Sequence, residues 1–140
     1  AHLRIARPTP SISALLPFYI DGLGFEILSS FKAHNGYDGV ILGHPSLPYH
    51  LEFTTEEGMK AEEGRAPSKD NLLVFYIPDE TEWGRACVRM DAVPLDDLGG
   101  EQVKARNSEN SWWDGEAGTG PKGTKGRTFE DADGWRVVLF

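Results

Sequence analysis

The chain has a single cysteine, few basic residues and no long apolar run. One cysteine, Cys87, excludes an internal disulfide. The 14 Lys and Arg residues against 22 Asp and Glu give a net charge of −8, which argues against nucleic-acid binding because phosphate contacts require clustered basic side chains. No apolar stretch approaches the roughly 18 residues of a membrane span, and the first residues lack the apolar core of a signal peptide. We therefore expect a cytoplasmic protein without nucleic-acid or membrane partners.

What the chain does contain is one pattern of elements repeated about 70 residues apart. Residues 3–8 and 72–78 each alternate as a strand does and precede a helical pattern, while residues 49–53 and 135–140 close the two halves with further strands. Each half therefore reads β-α-β-β-β. We predict one domain over residues 1–140, composed of module one at about 2–55, an acidic linker at about 56–69 and module two at about 70–140.

The two predicted helices cover about residues 12–23 and 80–92. Pro17 lies within the first helix and is expected to kink it unless it falls in the first turn, because proline lacks an N–H donor. Asp79 starts the second helix with a capping-box pattern. Cys87 lies on the apolar face of that helix, and we interpret it as a small buried hydrophobic residue and not as a nucleophile.

Several segments, taken in order, resemble the vicinal oxygen chelate superfamily, which includes glyoxalase I, bleomycin-resistance proteins and extradiol dioxygenases. The resemblance covers most of the chain outside residues 108–125. It implies an α+β fold in which the two tandem βαβββ modules form a curved, eight-stranded, cup-shaped sheet with the helices outside, and it implies a homodimer. The segments that carry the resemblance are 6–9, 18–19, 22–24, 37–40, 49–53, 67–76 and the closing hairpin at 129–140.

In metal-dependent members of the superfamily, the resemblance implies four ligand positions, one on the first and one on the last strand of each module. The first position falls on His2, or on Arg4 in a shifted alignment, and the second falls on Glu52. The other two fall on apolar side chains, Leu72 and Val138. A catalytic divalent metal needs at least three donor ligands, so we expect no cofactor, with His2 and Glu52 as weak metal candidates.

Strand alternation predicts which side chains face the cavity instead. If Ile5 packs against the helices, its neighbour Arg4 faces the concave side, and His50 shares one face with Glu52 in the same way. Trp113, in the Gly-, Ser- and Lys-rich segment, is predicted either to close over a ligand or to pack against the sheet rim. The residues predicted to form the polar end of the cavity are Arg4, His50, Glu52, Tyr76 and Arg136.

Each of these residues also has a structural interpretation. Arg4 or Arg136 paired with Glu52 is either a ligand site or an internal ion pair. Asp131 and Asp133 are predicted to be turn formers. Arg7 points away from the cavity by alternation, and a structural salt bridge is expected for it.

Two classes of function follow, and the sequence leaves open whether the protein is an enzyme. The first is metal-independent binding of a small planar organic molecule, of the sequestration or resistance type, with Arg4, Tyr76, Trp113 and Arg136 as ligand contacts. The second is a lyase or isomerase in which His50 and Glu52 move a proton next to a carbonyl group. The missing metal ligands favour binding, and the polar cluster favours catalysis.

Overall fold

The computed structural model describes residues 1–95, 103–104 and 126–140. Its helices are α1 (Ile12–Leu16), which continues as a π-helix (Pro17–Gly22), α2 (Ala61–Gly64) and α3 (Glu80–Ala92). Among the residues that the structure describes, no helix is long and apolar enough to cross a bilayer. The strands are β1 (Leu3–Pro8), β2 (Glu26–His34), β3 (Tyr37–Gly43), β4 (Tyr49–Glu56), β5 (Leu72–Phe75), β6 (Pro94–Leu95), β7 (Val103–Lys104), β8 (Arg127–Glu130) and β9 (Arg136–Leu139).

The strands form two main sheets and a small hairpin. The first sheet has the order β1-β4-β3-β2 and the second has the order β5-β9-β8, while β6 pairs with β7. In both main sheets the first strand of a module lies parallel to its last strand, β1 to β4 and β5 to β9. The predicted α+β class is confirmed. The predicted single eight-stranded cup is not confirmed, because β1 and β5 are edge strands of separate sheets in the described part of the chain.

The first helix changes its hydrogen-bonding register at Pro17. Ser11 caps the helix by accepting a hydrogen bond from the Ala14 N–H at 3.3 Å. Because Pro17 has no N–H donor, the α-helical ladder is interrupted there, and the chain continues as a π-helix to Gly22. The Leu23 N–H accordingly donates to the carbonyl oxygen of Phe18, five residues earlier. The predicted disturbance at this proline takes the form of a wider helical turn.

Helix α3 has the predicted bounds and packs tightly against the end of the π-helix. Asp79 caps it by accepting a hydrogen bond from the Glu82 N–H at 2.8 Å, and Cys87 is buried as predicted. Burial raises the pKa of the Cys87 thiol, which keeps it protonated. A Cβ atom on Gly22 would lie 2.5 Å from the Met90 sulfur, so any larger residue here would displace the buried Met90 side chain.

One apolar core joins the two modules. Side chains of α1, the π-helix and α3 form one buried cluster with side chains of β3, β4, β8 and β9. Burying such residues supplies most of the free energy that stabilises the fold. The fully buried large side chains include Leu15, Phe18, Tyr19, Leu42, Phe53, Met90, Val93, Phe129, Val137 and Leu139.

A buried hydrogen bond connects the helix of module one to the last hairpin of module two. The Tyr19 hydroxyl donates to Asp131 Oδ2 at 2.7 Å. Asp131 Oδ1 accepts from the N–H groups of Asp133 and Trp135, both at 2.9 Å, so Asp131 forms the turn as predicted. Burial raises the pKa of Asp131 to about 6, against the opposing effect of the Tyr19 hydrogen bond. Burial also raises the pKa of Asp133 and, well above its ordinary value, that of Tyr19.

Arg7 supports the same hairpin by stacking, and the salt bridge expected for it is absent among the described residues. Its guanidinium carbon lies 4.0 Å from the centre of the Trp135 ring. This is a cation–π contact. The Trp135 indole N–H donates to the Gly64 carbonyl oxygen at 3.0 Å, and a Cβ on Gly64 would lie 2.7 Å from Pro10. The predicted linker is thus solvated only in part, because Gly64 is buried while the other residues of its helical turn stay exposed.

We expect Tyr19→Phe to lower the free energy of unfolding by about 1 to 3 kcal/mol, since it removes a donor from a buried carboxylate. Chemical denaturation measures the change. Tyr37→Phe is the matched control, because Tyr37 is 42% exposed and its replacement should change stability by less than about 0.5 kcal/mol. Equal effects of the two substitutions would contradict the structural role of the Tyr19 hydroxyl.

Asp131 also makes stability depend on pH. Because its pKa rises from 3.8 to about 6 on folding, the folded protein retains a proton that the unfolded chain releases, and stability falls as the pH rises between about 4 and 6. Asp131→Asn lacks this contribution. The free energy of unfolding of the variant, relative to that of the wild type, should therefore rise by roughly 2 to 3 kcal/mol between pH 4 and pH 7, at about 1.4 kcal/mol per unit of pKa difference. Urea denaturation at each pH tests this, and a difference independent of pH would refute it.

Candidate functional site

An open groove runs between the edge strands β1 and β5, where the two sheets separate. It has a volume of about 380 Å³. Most of its wall is apolar, with one imidazole and two phenols among the side chains that line it. Such a hollow, with few polar groups, is typical of small-molecule sites. The residues that line it are Leu3, Ile5, Tyr49, His50, Leu51, Leu73, Val74, Phe75 and Tyr76.

Arg4, His50 and Glu52 form a polar cluster beside this groove. Parallel pairing of β1 with β4 places Arg4 opposite His50 and Ala6 opposite Glu52. Arg4 Nε donates to His50 Nδ1 at 3.2 Å, and Arg4 Nη1 donates to Glu52 Oε2 at 3.1 Å. Strand alternation had predicted that these three side chains share a face toward the cavity. The structure brings them together, but Leu3 and Ile5 line the groove where Arg4 was expected, and of the three only His50 is part of its wall.

The hydrogen bonds of this cluster define what it offers to a ligand. Because His50 Nδ1 accepts from Arg4, the proton of the neutral ring lies on Nε2, which is a donor. Glu52 contacts Arg4 and forms the ion pair that the structural interpretation had anticipated. Only two of the five N–H donors of Arg4 are used in these bonds. The cluster therefore presents hydrogen-bond donors, and the Arg4 side chain is 48% exposed.

The other predicted site residues lie in different places. Tyr76 lines the groove, is 67% exposed and packs edge-on against Phe140. Arg136 forms an ion pair with Glu130 at 3.3 Å and is not part of the groove wall. Its role in ligand binding stays a prediction. Trp113 lies outside the described residues.

The donor set does not fit a catalytic metal. Leu72 and Val138, at two of the four positions that the family resemblance implied, carry no donor atoms. Glu52 is already engaged by a guanidinium, and His2 lies on the exposed end of the chain before β1. No group of three or more His, Cys, Asp or Glu residues in the described ranges is placed to hold a metal ion.

The sequence interpretation missed the aromatic wall of the groove. The rings of Tyr49 and Phe75 lie 6.1 Å apart, centre to centre, at an angle of 44°. Tyr49 begins β4 and Phe75 ends β5. Alternation alone assigns both to the core side, and only the separation of the two sheets exposes them. An aromatic residue at the end of a predicted strand was the signal available in the sequence.

Comparison with known proteins gives one family. Residues 3–54 match the YycE-like N-terminal domain and residues 70–140 match the YycE-like C-terminal domain. The YycE protein of Bacillus subtilis is 39% identical over 140 residues, which are 100% of this chain and 87% of the relative. Its crystal structure, described as that of a protein of unknown function, has a TM-score of 0.72 at 38% identity, covering 100% of this chain and 88% of that one.

More distant structures share the fold. Glyoxalase I of Leishmania major is 18% identical with a TM-score of 0.59, covering 100% of this chain and 85% of that one. An antibiotic binding protein from a Streptomyces species is 16% identical with a TM-score of 0.56, covering 99% and 93%. The predicted resemblance is confirmed: the chain has the fold of the vicinal oxygen chelate superfamily, and it belongs to the YycE-like family.

Proposed function

We propose that this protein binds a small planar organic molecule in the β1–β5 groove without the help of a metal ion. The observation that carries the proposal is the guanidinium of Arg4, which is held between Glu52 and His50, the one member of this cluster that lines the apolar groove. A cation in this place can perform the electrostatic task that a metal performs in other proteins of this fold, which is to attract an oxygen with negative charge.

The proposed ligand follows from the chemistry of the groove. Unused N–H donors of Arg4 and the Nε2–H of His50 match an oxygen acceptor such as a carbonyl or an enolate. The aromatic side chains of Tyr49, Phe75 and Tyr76 match a flat ring. A planar molecule with a carbonyl or enolate oxygen satisfies both requirements. The Streptomyces relative, described as an antibiotic binding protein, is the analogy for sequestration as the biological purpose.

Catalysis as a lyase or isomerase is the weaker candidate. A general base needs a free acceptor to take a proton from its substrate. Arg4 donates to His50 Nδ1 and to Glu52 Oε2, so both of the proposed acid–base residues direct acceptor atoms toward the same guanidinium. This arrangement supports binding of an oxygen acceptor more than removal of a proton.

Two matched probes test the proposal: 4-hydroxycoumarin, which is planar and ionises to an enolate, and coumarin, which lacks the enol. We expect the protein to prefer 4-hydroxycoumarin, and Arg4→Gln to weaken that binding by about tenfold or more, as loss of a charge-assisted hydrogen bond does. The free energy of unfolding should change by less than about 1 kcal/mol, because the Arg4 side chain is about half exposed and ion pairs that water reaches contribute little. Isothermal calorimetry and denaturation give the two quantities.

Arg85→Gln is the control, since Arg85 is an exposed residue of α3 outside the groove. It should leave both affinities unchanged. The proposal is wrong if neither probe nor any other flat carbonyl compound in a panel binds, or if Arg4→Gln and Arg85→Gln bind 4-hydroxycoumarin equally well.

Metal removal provides a separate test. Treatment with EDTA should leave the affinity for 4-hydroxycoumarin unchanged, and glyoxalase I activity on the glutathione hemithioacetal should be absent, because that reaction relies on a metal to polarise the enediolate oxygens. Elemental analysis of protein purified without added metal completes the experiment. Equimolar nickel, zinc, iron or manganese that is lost in Glu52→Ala would show that Glu52 is a metal ligand after all.

A further inference from the structure

A second cavity of about 250 Å³ lies next to the groove, between α3, the end of the π-helix and β5. The two cavities share the side chains of Tyr49, Phe75 and Tyr76. The second one adds apolar walls from Phe25 and Leu139. Its volume is below the roughly 300 Å³ at which sites for drug-sized ligands begin, so an occupant would contain only one or two rings.

Arg89 supplies a cation to this cavity. Its Nε donates to the Gly22 carbonyl oxygen at 3.3 Å, which anchors the guanidinium at the end of the π-helix. Across the described ranges, no carboxylate lies within ion-pair distance of Arg89, whereas Arg4, Arg127 and Arg136 each have an acidic partner. With Nε occupied, the two terminal nitrogens form the remaining edge of the fork, which is the edge that grips a carboxylate with two parallel hydrogen bonds.

His44 adds a donor on the wall of the same cavity. The Ser46 N–H donates to His44 Nδ1 at 3.3 Å, so Nδ1 is an acceptor and the neutral ring carries its proton on Nε2. The Ser46 hydroxyl lies 2.7 Å from the same nitrogen and holds the ring orientation further. A fork of two N–H groups and a fixed imidazole N–H therefore line a mainly apolar pocket.

We propose that this second cavity is a binding site for a small aromatic carboxylate. The carboxylate would lie on the terminal nitrogens of Arg89 with the His44 Nε2–H beside it, and the ring would pack against Phe75 and Tyr76. A net charge of −8 repels anions from the protein as a whole. Selective uptake of a carboxylate thus requires a local cation, and Arg89 provides one that has no ion-pair partner among the residues that the structure describes. The proposal does not depend on the function proposed for the neighbouring groove.

Binding of 2-naphthoate, compared with its uncharged analogue 2-naphthamide, tests this site. Calorimetry on the wild type should show that the carboxylate binds at least about tenfold more tightly than the amide. Arg89→Gln should weaken binding of 2-naphthoate by about 10- to 100-fold and should change the affinity for 2-naphthamide little. Arg85→Gln, one turn away on α3 and outside the cavity, should bind both compounds as the wild type does. Arg4→Gln should also retain 2-naphthoate binding, which separates this cavity from the groove.

Arg89→Lys covers the case in which loss of the Gly22 contact unfolds Arg89→Gln. Lysine retains the charge but cannot form two parallel bonds, so a folded Arg89→Lys protein should bind 2-naphthoate with intermediate affinity. Three results would overturn the proposal: no preference for the carboxylate in the wild type, unchanged affinity in both Arg89 variants, or a loss in Arg4→Gln that Arg89 substitutions do not produce.

Discussion

The arrangement of this molecule depends on one buried hydrogen bond, from the Tyr19 hydroxyl to the carboxylate of Asp131, 112 residues away in the chain. Tyr19 belongs to the helix of module one, and Asp131 organises the last hairpin of module two. Their contact and the stacking of Arg7 on Trp135 link the two modules. The carboxylate is held away from water, which raises its pKa to about 6. Burial of the Asp131 charge is therefore unfavourable at neutral pH, and the fold retains it at the contact that joins the two modules.

The proposed ligand site lies where these two modules meet. The two sheets share a core but do not pair along β1 and β5, so a groove with aromatic side chains remains between their edges. Beside it, the Arg4 guanidinium forms an ion pair with the carboxylate of Glu52, a residue at which the family resemblance implied a metal ligand. In the proposed function, arginine stands in place of a metal ion: it supplies a positive charge and directional donors, but no open coordination position of the kind on which metal catalysis depends. Recognition of a planar oxygen-bearing molecule is the function most consistent with this exchange.

Local patterns predicted much of this structure. Strand alternation identified the shared face of Arg4, His50 and Glu52, because side-chain direction along a strand needs no knowledge of the rest of the fold. Helix α3 was predicted with its bounds for the same reason, since its cap and apolar spacing are local. The partner of Arg136 was not predicted, because it depends on pairing between β8 and β9, which places Glu130 opposite. The stacking of Arg7, the burial of the Tyr19 hydroxyl and the packing of the linker likewise depend on contacts between modules that no short stretch of sequence records.

The most direct test of the account is a crystal structure of the metal-free protein soaked with 4-hydroxycoumarin. The account predicts the ring in the β1–β5 groove against Tyr49 and Phe75, with its enolate oxygen within hydrogen-bonding distance of Arg4 and of His50 Nε2. Glu52 should still accept from Arg4 Nη1. A metal ion bound to Glu52 with Arg4 displaced, or a ligand that makes no contact with Arg4, would contradict the claim that a guanidinium has taken over the task of the metal in this protein.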